Sequence, residues 1–110
     1  MRNLKHLNKM VSHIAVVAWV ALAFSVAALA QDQSAIEAGE QLYDQHCAEC
    51  HGEKLRSSGV TPDLRTLSAN DRARFDAMVK DGKDQMPSWD GILTAENLDQ
   101  LWAYIRAHAR

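Results

Sequence analysis

Cys47-Ala48-Glu49-Cys50-His51 is the stretch that decides the fold. Two cysteines three residues apart can each bond one of the two vinyl groups on a single edge of a haem. The histidine that follows immediately is then placed beneath the iron, which is why C-x-x-C-H reads as a haem attachment signature. Three other uses of two cysteines compete with that reading. A redox-active dithiol of the thioredoxin kind calls for a strand before Cys47, and the preceding residues have helical spacing. A zinc site needs further ligands, and the adjacent Cys50 and His51 fit one tetrahedral ion poorly. A plain disulfide between Cys47 and Cys50 closes too short a loop to staple distant parts, and it leaves His51 without a role.

Upstream, Ser34-Ala35-Ile36-Glu37 has the S-x-x-E form of a capping box, and Ile36, Gly39, Glu40 and Tyr43 follow along one helical face to Cys47. Before that lies a segment of a different kind. Arg2, Lys5 and Lys9 make a basic start, Ile14 to Ala30 is apolar apart from Ser25, and Ala28-Leu29-Ala30 offers small residues for a signal peptidase. Residues 1–30 are therefore expected to be a cleaved signal peptide, with the mature domain at 31–110. The apolar run has 17 residues, near the lower limit for a membrane span, so a retained inner-membrane anchor is the alternative. Export to the periplasm follows from either, with no membrane contact after cleavage.

The 80 residues that remain after cleavage are few for a single apolar core, and the two cysteines supply no long-range disulfide. A haem tethered through both sulfurs would provide the missing apolar centre. Residues 31–110 keep nine of the twelve Lys and Arg and all fourteen acids, a net charge of −5. Such a balance argues against nucleic acid and against anionic membranes as partners.

Downstream, no stretch has strand alternation, and the expectation is an all-α domain of about three main helices. Residues 52–67, with Gly52, Gly59 and Pro62, read as a loop. A second helix is expected from an Asn70 cap through Phe75, Met78 and Val79 to Gly82. Residues 83–93, centred on Met86-Pro87, form the next loop. The last helix starts at Thr94 and carries Leu98, Leu101, Trp102 and Ile105 as an amphipathic stripe.

Over residues 34–108 this order of features resembles the class I single-haem cytochromes c. Gly39, Tyr43 and Cys47 resemble that family's first helix, Leu101 and Tyr104 its crossing pair on the last helix, Pro62-Asp63-Leu64 its P-x-L loop and Met86-Pro87 its distal segment. Gly59-Val60-Thr61-Pro62-Asp63-Leu64-Arg65 and Met86-Pro87-Ser88-Trp89 resemble the cytochrome domains of quinohaemoprotein alcohol dehydrogenases and of cytochromes serving quinoprotein dehydrogenases. Those domains usually have glycine before the methionine, where this chain has Gln85.

The resemblance implies one haem c, covalently held by Cys47 and Cys50, with His51 as proximal and Met86 as distal iron ligand. Pro62 would accept the second N–H of the histidine on its carbonyl. Arg65 and Trp89 are candidates for propionate contacts, each with an ordinary alternative as a surface or packing side chain. Tyr43, Leu64, Phe75, Leu98 and Leu101 are expected to pack at the haem wall or the helix crossing. His46 and His108 are expected to face solvent. The implied activity is one-electron transfer by a monomer, not an enzyme, between redox proteins: a quinoprotein dehydrogenase as donor and an oxidase or another cytochrome as acceptor. Other readings are a haem-based sensor or scavenger of small ligands, and a cytochrome subunit docked to a larger oxidoreductase.

Overall fold

A computed structural model describes the backbone of residues 2–110 and the side chains of 7–13, 18, 19, 28–30 and 32–110. Among the described residues four α-helices occur, α1 (Arg2–His46), α2 (Ala48–His51), α3 (Arg72–Asp81) and α4 (Ala95–Ala107), with 3-10 turns at Glu53–Leu55, Leu64–Thr66 and Ala69–Asp71. Among the described residues there is no strand, and the one isolated bridge joins Lys83 and Met86. The chain divides into two compact units, Met1–Asp32 and Gln33–Arg110.

In the first unit Leu7, Met10, Val11, Trp19 and Leu29 are all exposed. Among the described residues no helix is long and apolar enough to cross a membrane. Because α1 begins at Arg2, Ser34 does not start a helix as its capping pattern suggested.

The second unit is built on a close crossing. Gly39 is buried in α1, and a Cβ there would lie 2.0 Å from the Gln100 carbonyl oxygen and 2.9 Å from the Tyr104 Cβ of α4. Tyr43, one turn on, is fully buried with its ring 5.5 Å from that of Tyr104. Leu98, Leu101 and Ile105 complete the α4 face, with Leu55, Phe75 and Val79 closing the core. The expected Thr94 start of α4 is seen as a reciprocal capping box with Asn97.

The second expected cap lies elsewhere. Ser68, not Asn70, opens the helical segment, exchanging side-chain and backbone hydrogen bonds with Asp71 three residues on. Gly82 ends α3 as expected, at φ 73°. A Cβ there would also meet the Met86 carbonyl oxygen at 2.6 Å, so glycine is needed for space as well as for backbone angle. Phe75 and Val79 are buried, whereas Met78 is half-buried and outside the set packed on the core. Positions 75 and 79 lie on one row of the helix, and 78 is turned toward its edge.

Candidate haem site

Helix α1 stops at His46, and the chain bends at Cys47 (φ −120°, ψ −34°) into the single turn of α2. The Cys47 carbonyl accepts the Cys50 N–H at 3.2 Å and the His51 N–H at 2.9 Å, so one backbone oxygen gathers the whole motif into a turn. Cys47 and Cys50 are then neighbours on that turn. Both are free, Cys47 half-buried and Cys50 exposed. Burial, with Cys50 adding a smaller push, raises the Cys47 thiol to about 11.

The segment after the motif is fixed from two sides. Tyr43 donates its hydroxyl to the Gly52 carbonyl at 2.7 Å, and Thr61 donates to the Cys50 carbonyl at 3.0 Å. Ser57 donates to the Thr61 carbonyl in turn. Leu55 is held in the left-handed region (φ 63°), costly for a bulky residue, and its 1% exposure shows that core burial maintains it.

Within this frame His51 Nδ1 is buried and has no hydrogen-bond partner. Burial lowers the imidazole pKa, and the Pro62 carbonyl opposes that effect. Pro62 is thus near enough to act as an acceptor, although Nδ1 has no formed hydrogen bond to it. An orphaned buried nitrogen costs about 1–3 kcal/mol. Donation to the Pro62 carbonyl by one ring nitrogen while the other binds a metal would remove that cost, the usual arrangement for a ligating histidine. Among the described residues no group of three or more His, Cys, Asp or Glu converges to hold a metal ion, so Cys50 and His51 gain no partners for a tetrahedral site. Two free cysteines on one turn and a buried, partnerless imidazole beside them fit covalent haem.

The distal segment is a closed loop. Lys83 and Met86 exchange backbone hydrogen bonds at 3.0 and 2.9 Å, Ser88 donates to the Lys80 carbonyl, and the Trp89 N–H bonds the Val79 carbonyl at 3.0 Å. Met86 is half-buried and packs on the core. Trp89 also packs on the core, with its ring edge-on to His46, centroids 5.1 Å apart. His46 is accordingly half-buried rather than solvent-facing. His108 is exposed, with Nδ1 2.9 Å from the Tyr104 carbonyl.

Arg65 is gripped by Asp63, whose carboxylate accepts from the Arg65 backbone N–H, Nε and Nη2 at 3.0, 2.9 and 2.8 Å. Arg110 donates to the same carboxylate, and these cations hold the Asp63 acid well below the usual carboxylate range. The Arg110 backbone N–H also bonds the Arg65 carbonyl at 3.0 Å. The sequence reading missed Asp63 in this role, although an Asp two residues before an Arg is the signal of a local side-chain turn. It also missed the Tyr43 hydroxyl, the Thr61 hydroxyl and the contact of His46 with Trp89.

Comparison with known proteins identifies relatives of this chain. The model of the family described as cytochrome c oxidase, cbb3-type, subunit III matches residues 34–105. The quinohemoprotein alcohol dehydrogenase ADH-IIG of Pseudomonas putida is 42% identical over 85 residues, covering 74% of this chain and 12% of that protein. The solved structure of that dehydrogenase superposes with a TM-score of 0.66 at 40% identity, over 71% of this chain and 12% of that one. This chain thus spans only 12% and 11% of the length of the two Pseudomonas putida dehydrogenases it matches. A cytochrome c6 from Rippkaea orientalis is 36% identical over 74% of this chain and 76% of its own length. A family match across residues 34–105 and a cytochrome c6 aligned over three quarters of its length lead to one assignment: the chain belongs to the class I cytochrome c family, electron carriers with haem c as cofactor.

Proposed function

We propose that this protein is an exported single-haem carrier that takes one electron at a time from a quinoprotein dehydrogenase and passes it to a downstream oxidase or cytochrome. The observation that carries the reading is the buried, partnerless Nδ1 of His51 beside two free cysteines. Haem c, when bound, supplies a one-electron Fe2+/Fe3+ couple. Cys47 and Cys50 would hold it through thioethers, and His51 would ligate the iron while giving its other N–H to the Pro62 carbonyl. Met86, on its closed loop, would be the second protein ligand, its neutral sulfur favouring the reduced state relative to an imidazole. With both ligands supplied by the chain, the protein's part would be orientation and shielding. Arg65, already paired with Asp63, and Trp89, packed against His46, would reach a propionate only as secondary contacts.

The donor is inferred from the likeness to the two quinohemoprotein alcohol dehydrogenases. Export rests on the basic start, apolar run and small-residue site of residues 1–30, with the mature chain beginning at Gln31 in the periplasm. A monomer is sufficient, since every residue used lies in one chain. The test is to mix the purified ferric protein with a quinoprotein alcohol dehydrogenase turning over an alcohol. Reduction at a rate proportional to dehydrogenase concentration supports the assignment. Failure to be reduced by it, while chemical reductants act normally, removes that donor class.

A further inference from the structure

The distal loop is tied to α3 at its base: Gly82 N–H to Met78 carbonyl at 3.0 Å, Trp89 N–H to Val79 carbonyl at 3.0 Å, and Ser88 to the Lys80 carbonyl. His46 is the last residue of α1 and is directly bonded to Cys47. Its ring meets Trp89 edge-on, 5.1 Å between centroids and 60° between planes. Trp89 is three residues past Met86, and the Ile92 and Leu93 N–H groups both close on its carbonyl at 3.0 and 3.1 Å. The Trp89 backbone is therefore fixed on both sides, so its ring can transmit restraint to the loop.

We propose that His46 and Trp89 form a clasp joining the distal loop to the haem-attachment turn, which makes His46 a positioning residue for the sixth ligand. This rests on the assignment of Met86 as that ligand. Without the ring contact the loop loses one of its restraints, and its open form becomes more populated. An edge-on aromatic pair corresponds to about a two- to tenfold change in such a population. An external ligand binds only when the methionine is off, so its apparent affinity follows the open fraction.

The experiment is titration of the ferric holoprotein with imidazole, followed by its absorption spectrum. His46→Ala is expected to tighten apparent imidazole binding by about two- to tenfold. His46→Phe, which keeps an aromatic edge against Trp89, is expected to return it toward the starting protein. Met86→Ala sets the limit of an unopposed site. If His46→Ala leaves imidazole affinity unchanged while Met86→Ala tightens it, the clasp is wrong and the ligand assignment stands. If His46→Phe loosens the site as much as His46→Ala, ring contact is not the cause and the clasp is again wrong. If Met86→Ala itself changes nothing, the ligand assignment fails, and the clasp with it.

Discussion

Gly39 and Gln100 meet so closely that a single methyl group on Gly39 would lie 2.0 Å from the Gln100 carbonyl oxygen. The crossing of α1 and α4 that this contact permits brings Tyr43 onto Tyr104 and delivers the chain to Cys47. Gly39→Ala would gain about 1 kcal/mol of helix propensity. It would also force apart two backbones, where the obstacle cannot rotate away, at a cost toward or above the upper end of the usual 1–3 kcal/mol for overpacking. The steric cost wins. Thermal unfolding of the holoprotein should show a lower midpoint, by about 4–8 °C per kcal/mol. An unchanged or raised midpoint would mean that the crossing is looser than described.

Tyr43→Phe keeps the ring in the core and removes only the hydrogen bond to the Gly52 carbonyl, the link between the crossing and the segment after His51. A loss of about 0.5–1.5 kcal/mol is expected in denaturant unfolding. Tyr43→Ala should cost several times more, because it also empties a fully buried site. Equal effects of the two substitutions would show that the hydroxyl, not the ring, carries the stabilisation.

Asp63 gives a pH-dependent term with a definite sign. Arg65 and Arg110 hold its folded pKa below the ordinary 3.8, so its stabilisation is fully present above that value. It is lost as pH falls from there toward the folded pKa. Asp63→Asn should therefore melt lower than the starting protein at neutral pH, with the gap narrowing as pH drops below 3.8. A gap that stays constant down to pH 2, or widens, would contradict the ionic origin.

What the sequence made legible was local. C-x-x-C-H, the i, i+4 series Gly39, Tyr43 and Cys47, the Thr94 cap and the Gly82 stop each involve residues within about one or two helical turns, where spacing alone fixes geometry. The Asn70 cap was misread because Ser68 with Asp71 makes the same pattern nearby, and only the backbone decides between two overlapping signals. With residues 2–30 present Ser34 lies inside α1, so its capping box has a helix start to act on only once that segment is removed. Met78 shares a short apolar series with Phe75 and Val79, too short to define which edge faces inward. The Asp63 clamp on Arg110 and the ring contact of His46 with Trp89 join distant parts of the chain, and no local pattern announces such pairs.

The central proposal is that Met86 on its closed loop, and not Met78 on α3, would be the second haem-iron ligand beside His51. The most direct measurement is the weak near-infrared sulfur-to-iron absorption of the ferric holoprotein in two variants. Met86→Ala should abolish the band, lower the reduction potential and open the reduced protein to carbon monoxide. Met78→Ala should leave the band intact and cost no more than about 2 kcal/mol, since that side chain is half-buried and outside the packed core. A band that survives Met86→Ala and disappears in Met78→Ala would contradict the account.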